Sequence, residues 1–246
     1  MSAQDSTKSE TVTLNGRKTY YEVYGSGEPL LFLHGYGQSS IYWRSFISDY
    51  QDDFEIYLID LQGFGKSSSF DPNWSINSAA QNLNDLLEYL ELDSVKVIGL
   101  SYGGDVIFQL AHINPSMVKS MISIGAIGSW NAQDYPEYVE YFSFSNQENL
   151  AEVKDYQTSE SQFRATLDLF ANYNVFLSDN DLQNISTKTM IILGDDDSFP
   201  LEEVARVRKN LPNFDLWILP NTGHVAHEGK NLAEFLRVSK EFLKDE

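Results

Sequence analysis

The sequence predicts an α/β protein, a mostly parallel twisted sheet with helices packed on both faces. Three observations carry that prediction. Short apolar runs recur without the in–out alternation of a half-exposed strand: PLLFL (29–33), FEIYLIDL (54–61), VKVIGL (95–100), VKSMISIG (118–125), TMIILG (189–194) and FDLWIL (214–219). Strands covered on both faces read this way. Between the runs, apolar residues recur at helical spacing, and regular exchange of strand and helix is the pattern of parallel sheets. The exchange lapses once, from Ala126 to about Thr187, a segment too long for a loop.

Taken in order, MSAQDSTKSE (1–10) is polar and is expected to be a flexible tail. TVTL, Asn15-Gly16 and KTYYEVY form two strands about a type I′ hairpin signal. The first buried run ends at His34-Gly35, and residues 39–50 are expected to be helical. FEIYLIDL gives way to the glycine-broken loop Gln62-Gly63-Phe64-Gly65. Ile76, Leu83, Leu86, Leu87 and Leu90 mark a helix that Ser75 or Asn77 would cap. VKVIGL leads to a helix over Asp105–Ile113, and helices over 201–211 and 231–243 complete the pattern. The segment 126–187 carries aromatics at helical spacing: Tyr135, Tyr138 and Phe142, then Phe163, Phe170 and Tyr173. It is expected to be a small helical cap inserted into a core of residues 11–125 and 188–246, lining the substrate entrance, with most of these aromatics packing the cap onto the sheet.

Composition narrows the function. A chain of 246 residues with 42 % hydrophobic content can bury one large core, and no linker or repeat divides it. No apolar run approaches the roughly 20 residues that span a bilayer. The absence of cysteine removes disulfides, thiolate metal sites and a cysteine nucleophile. A net charge of −19 argues against nucleic acid, whose phosphates call for Lys and Arg, and against anionic membranes. Histidines and carboxylates form no ligand-spaced cluster, so no metal and no cofactor is expected. The expected partner is a small-molecule substrate. The cysteine-free chain, with no apolar leader core at its start, is expected in the cytoplasm.

The chemistry concentrates at GLSYGG (99–104), between a strand and a helix. A serine forced into an unfavourable backbone region needs neighbours without side chains, and Gly99, Gly103 and Gly104 provide them. Its oxygen would stand at the carboxyl end of the sheet beside a helix N-terminus, where partial positive charge favours a developing anion. A serine hydroxyl needs a base. Of His34, His112, His224 and His227, His112 lies within a helix and His34 closes a strand. His224 sits in a loop after the last strand, where its ring can reach over the sheet edge; His227 is the weaker rival. An acid must hold the imidazole in turn. GDDDSFP, just past the strand 189–194, offers Asp195, Asp196 and Asp197, while GAIGSW after the preceding strand offers no carboxylate. The order serine, aspartate, histidine is the one this elbow motif predicts.

From about residue 11 onward the chain resembles the α/β-hydrolase family, in its capped single-domain branch. The resemblance rests on HGYG (34–37), DLQGFGKSS (60–68), GLSYGG (99–104), GDDDSFP (194–200) and TGHVAHE (222–228), five motifs in the family's order. It implies an α/β-hydrolase fold and a triad of Ser101, Asp197 and His224, because the family's acid stands three residues after the strand-end glycine. It also implies an oxyanion hole formed by the main-chain N–H groups of Tyr36 and Tyr102, and a structural role for His34. Epoxide hydrolases and haloalkane dehalogenases of this fold use aspartate at the elbow, so serine here points to esterases and their relatives.

The expected activity is hydrolysis of a carboxylic ester of a neutral, apolar small molecule through an acyl-enzyme. A carbon–carbon bond or lactone hydrolase with the same triad is the alternative, and a non-catalytic ligand receptor of the same fold is a third reading. Two carboxylates outside the triad, Asp60 and Asp105, are expected to be structural, the second as a charge favoured by its helix N-terminus. In the cap, eight carboxylates from Asp134 to Asp168 outnumber Lys154 and Arg164, which disfavours strongly anionic substrates.

Overall fold

The structure, a computed structural model, describes residues 6–70 and 73–245. The chain opens with a hairpin of β1 (Lys8–Leu14) and β2 (Arg17–Gly25), turned at Asn15 and Gly16 with φ of +50° and +78°. Both values are positive, as a type I′ turn requires. β1 therefore begins inside the segment expected as a tail. Lys8–Glu10 pair in register with Val23–Tyr21, and the Ser9 hydroxyl meets the Tyr20 hydroxyl at 2.9 Å. The polar residues that suggested a tail lie on an exposed edge strand. Residues 1–5 of that expected tail lie outside the described residues.

β3 (Glu28–Leu33) follows, then a 3₁₀ stretch (Ser40–Phe46) running into the short α1 (Ile47–Tyr50), β4 (Phe54–Asp60) and α2 (Ile76–Tyr89). Ser75 rather than Asn77 caps α2, through a reciprocal pair of hydrogen bonds with Ser78. β5 (Val95–Leu100), α3 (Tyr102–Ile113) and β6 (Val118–Ile124) continue the alternation. After β6 the chain leaves the sheet through β7 (Ser129–Asn131), α4 (Pro136–Tyr141), α5 (Ala151–Asp155), α6 (Glu160–Phe170), β8 (Asn174–Phe176) and α7 (Asp179–Asn184). It returns as β9 (Lys188–Gly194), α8 (Leu201–Asn210), β10 (Phe214–Leu219) and α9 (Leu232–Lys244).

The main sheet runs β1-β2-β4-β3-β5-β6-β9-β10; β2 is antiparallel to both neighbours and every later pairing is parallel. Successive side chains of the strands go to opposite faces. Leu31 and Leu33 join the cluster under α2, α3 and α8, whereas Leu30 and Phe32 join Trp43, Tyr50 and Phe235 beneath α1 and α9. Two apolar faces explain why the strands read as unbroken apolar runs. Each fully buried Leu or Phe contributes about 1.5–3 kcal/mol, so both helical layers are held by the sheet itself.

One feature of the excursion between β6 and β9 differs from the reading of the sequence. β7 and β8 pair antiparallel, Trp130 opposite Val175, as a two-stranded ribbon at the root of the segment. At three residues each, the strands are too short to leave a periodic signature. The helices are also short: α6, with eleven residues, is the longest, and only Leu150, Phe163 and Leu167 form a buried cluster of the segment's own.

Candidate active site

β5 ends at Leu100, and Ser101 is the N-cap of α3 with φ of +51° and ψ of −115°. A non-glycine residue in that region costs on the order of 1–3 kcal/mol and persists only where its surroundings over-determine it. Here they do. The Ser101 N–H donates to the Ile124 carbonyl of β6 at 2.7 Å, and its own carbonyl accepts the Asp105 N–H at 3.0 Å. The two glycines after Tyr102 are required by close approach. A Cβ on Gly103 would stand 2.5 Å from the Leu33 carbonyl oxygen, and one on Gly104 would stand 2.5 Å from Ser123 Oγ. The helix thus starts at Tyr102, three residues before the sequence suggested, because glycines that read as a loop are the first turn pressed onto β3 and β6.

The loops after β9 and β10 are tied together by two hydrogen bonds to the Thr222 main chain. Asp195 Oδ1 accepts the Thr222 N–H at 3.1 Å, and the Asp196 N–H donates to the Thr222 carbonyl at 3.0 Å. That leaves Asp197 to turn inward, where its carboxylate oxygens lie 3.0 and 3.1 Å from His224 Nδ1. Asp197 also accepts the Ser198 N–H at 2.8 Å, and its side chain is 2 % exposed against 41 % for His224. A carboxylate accepts only, so Nδ1 carries the proton and Nε2 is left with a free lone pair. Gly125, at φ +62°, makes room for the ring: a Cβ there would sit 2.9 Å from His224 Cε1. Among the described residues no hydrogen bond joins His224 to Ser101, yet both line one cavity.

The loop after β3 is fixed by buried groups. His34 is fully buried; its Nε2 accepts the Leu61 N–H at 3.0 Å and its Nδ1 meets the Gly35 carbonyl at 2.8 Å. Burial pushes its pKa down, against the pull of Asp60, and keeps the ring neutral. Asp60 accepts the Ser40 N–H at 2.6 Å and the Lys66 N–H at 2.7 Å, and so holds the QGFGKSS loop. The side-chain hydroxyls of Tyr36 and Tyr102 are engaged elsewhere. The Tyr36 hydroxyl donates to the Thr166 carbonyl at 2.8 Å, and the Tyr102 hydroxyl accepts from Trp74 Nε1 at 3.2 Å. The Tyr102 N–H lies in the first turn of α3, where helical geometry supplies no acceptor.

Over Ser101 and His224 lies a cavity of about 160 Å³. Four of the six aromatics picked out in the segment, Tyr138, Phe142, Phe170 and Tyr173, are among its walls, in keeping with a segment expected to line the substrate entrance. Tyr36 packs among them, 5.0 Å from Phe170 and stacked at 5.8 Å on Tyr173. The eight acidic residues of the segment, Asp134 through Asp168, are exposed and none lines this cavity, although Asp134 lines a neighbouring groove.

Asp105 also lines this cavity, and the sequence did not mark it as part of the site. It is 3 % exposed, with Oδ1 accepting the Gly128 N–H at 3.0 Å and Oδ2 accepting the Tyr173 hydroxyl at 2.6 Å. Burial raises its pKa to about 7, against the opposing effects of Tyr173, Gly128 and His224. Desolvation outweighs the helix N-terminus on which the structural reading of this residue relied. The signal available in the sequence was its position, one helical turn beyond the serine.

The remaining histidines stand elsewhere. His112 lies 3.9 Å from Asp181 at the far end of α3. His227 is fully buried among Tyr42, Trp43, Phe46 and Phe235, and burial lowers its pKa to about 3. Among the described residues no group of three or more metal-ligating side chains converges, and no helix is long and apolar enough to cross a membrane.

Fold and site define an α/β protein with a strained serine at the carboxyl edge of a parallel sheet, facing a histidine–aspartate pair. The sequence profile of the alpha/beta hydrolase fold matches residues 28–167, more than half of the chain, and the chain belongs to that family. It is 33 % identical over 114 residues to the soluble epoxide hydrolase of Corynebacterium sp. (strain C12), a match covering 46 % of this chain and 40 % of that enzyme. The chain thus spans well under two thirds of the length of that relative. It is 24 % identical over 270 residues to the 2-hydroxy-6-oxo-2,4-heptadienoate hydrolase of Pseudomonas putida, covering 96 % of both chains. Among solved structures, an alpha/beta hydrolase enzyme from a Medee basin deep-sea metagenome library superposes with a TM-score of 0.81 at 20 % identity, covering 96 % of this chain and 98 % of the other.

Proposed function

We propose that this chain is a serine esterase, which hydrolyses carboxylic esters of neutral, apolar small molecules through an acyl-enzyme. The observation that carries the proposal is the convergence on one aromatic cavity of a strained serine and a histidine whose far nitrogen is held 3.0 Å from a buried carboxylate. His224 Nε2 takes the Ser101 proton as Oγ bonds to the ester carbonyl carbon. The contact between Nε2 and Oγ tightens when substrate fills the cavity. Negative charge on the carbonyl oxygen falls to the N–H groups of Tyr36 and Tyr102, donors worth about 3–4 kcal/mol each in such a transition state. As the C–O bond breaks, His224 gives its proton to the departing alcohol. Water then attacks the acyl-serine with His224 again as base, and Ser101 regains its proton. Asp197 holds the tautomer and offsets the imidazolium charge. The segment between β6 and β9 serves as the cap over this cavity.

The cavity sets a scale. An apolar cavity of about 150 Å³ takes up benzene, so about 160 Å³ here suits a short or single-ring acyl group. Serine at position 101 speaks against the epoxide opening named for the Corynebacterium relative, since that chemistry uses an elbow aspartate. The full-length likeness to the heptadienoate hydrolase favours, as second reading, cleavage of a carbon–carbon bond beside a ketone by the same residues.

The test is hydrolysis of p-nitrophenyl esters from acetyl to decanoyl by the parent and by Ser101→Ala. Multiple turnovers by the parent and a loss of about 10⁶ in kcat in the variant are expected. Turnover that survives Ser101→Ala refutes the nucleophile. A parent inert to every ester but active on a vinylogous 1,5-diketone supports the second reading instead.

A further inference from the structure

A second cavity, a solvent-open groove of about 660 Å³, lies against the ribbon of β7 and β8 and the start of α8. Trp130 is common to the linings of this groove and of the smaller cavity over Ser101. Its contacts divide accordingly. Toward the groove its indole stacks on Tyr135, with centroids 5.3 Å apart and planes 5° from parallel. Toward the cavity it meets Tyr173 at 5.0 Å, Phe170 at 5.8 Å and Tyr138 at 6.3 Å, all residues of the cavity wall. Val175, its cross-strand partner, is buried beneath the groove and fixes the strand that presents the ring.

We propose that Trp130 determines the length of acyl group accepted, because its indole is the wall between a cavity that is full at a short chain and a groove whose apolar residues, Tyr135, Val175 and Phe176, would continue it beside Asp134 and Glu203. This rests on the esterase reading for its substrate, although the wall itself does not depend on catalysis. Each methylene that finds apolar room strengthens binding about fourfold, and each one that meets a rigid wall gains nothing. Affinity and kcat/KM should therefore rise with chain length in the parent and then level off or fall. With alanine at 130 the two spaces join, and the break should move to longer chains. The ring sits on a three-residue strand outside the main sheet, stacked on Tyr135 and tilted against Phe170 and Tyr173, so its removal opens space without displacing a strand of the main sheet.

Two measurements test this. The first is the ratio of kcat/KM for p-nitrophenyl decanoate to that for the butyrate, in the parent, in Trp130→Ala, and in Trp130→Ala combined with Asn174→Trp, which places bulk in the groove. The single variant should raise the ratio at least tenfold and the double variant should return it toward the parent. The second is calorimetric binding of 1-alkanols from butanol to decanol, which needs no turnover. The chain length at which affinity stops rising should increase in Trp130→Ala. Should the parent hydrolyse no ester, the esterase reading fails and the alkanol series still decides the role of Trp130. An unmoved break point and a ratio within twofold of the parent, in a variant with parent-like circular dichroism, overturn the proposal. Should Trp130→Ala not fold, Trp130→Phe keeps an aromatic stack on Tyr135, and the same two readouts decide with a smaller expected shift.

Discussion

Asp105→Asn isolates the cost of burying a carboxyl group beside the candidate serine. In the folded chain burial raises this group from an ordinary value of 3.8 to about 7, so between those values the native state holds a proton that the unfolded chain has lost. Where the native state binds more protons, stability falls as pH rises. The penalty builds from about pH 4 and levels off above about pH 7, where both states are ionised, at a full size of about 4 kcal/mol. At pH 5 roughly 2 kcal/mol of it has accrued and at pH 8 nearly all, so the window between them spans about 3 kcal/mol. Asparagine keeps the shape, and its carbonyl oxygen can still accept the Gly128 N–H, but it does not titrate. Its hydrogen bond to Tyr173 changes by an amount that does not depend on pH and cancels between the two conditions. The self-repulsion of a chain of charge −19 also varies with pH but is shared by both proteins to first order.

The assay is urea unfolding of parent and variant at pH 5 and pH 8, followed by tryptophan fluorescence. The expected result is that the stability of Asp105→Asn relative to the parent improves by about 3 kcal/mol on going from pH 5 to pH 8. A difference between the two proteins that stays constant within about 0.5 kcal/mol would refute the reasoning. It would mean that the carboxylate is already ionised in the native state at pH 5, with water reaching it through the cavity.

Two further perturbations probe the frame around the site. Gly125→Ala forces a left-handed backbone on a residue with a side chain and drives its Cβ to 2.9 Å from His224 Cε1. Displacing the imidazole from Asp197 should cut kcat by about 10²-fold, and a parent-like kcat in the folded variant would show that the ring is not confined there. Ser75→Ala removes the reciprocal cap of α2, outside the lining of the cavity, and should cost about 1 kcal/mol with ester turnover unchanged. For a domain of this size that corresponds to a fall of about 2–4 °C in Tm, and an unchanged Tm would mean that the cap contributes nothing net.

What the sequence made legible follows from how each feature is encoded. The doubly covered strands announced themselves, because a strand with helices on both faces has no side left for polar residues; β5 runs over Val95–Leu100 as read. The serine's setting was legible for a related reason. Glycines at 99, 103 and 104 are needed where neighbouring backbone or side chains press close, so the steric demand is written as the absence of side chains. The three neighbouring aspartates were a harder case. Their residue type is the same; only the resemblance's spacing singled out Asp197, and the two bonds that tie Asp195 and Asp196 to the Thr222 main chain could not be read from the sequence.

The segment over the cavity was least legible, and the reason is physical. Its helices run from five to eleven residues, and its own buried cluster is three residues. Most of its apolar side chains therefore answer to the sheet below and to the empty space between. An aromatic residue that packs against a neighbour and one that walls a cavity satisfy the same burial rule, and the sequence pattern is identical for both. Tyr173 does each at once: its ring stacks on Tyr36, lines the cavity, and sends its hydroxyl to Asp105. On the proposed reading, the length of acyl group accepted is set by where the aromatic planes stop, not by which residues are aromatic. For this reason the ester-length ladder on Trp130 variants reads a property that composition could not carry.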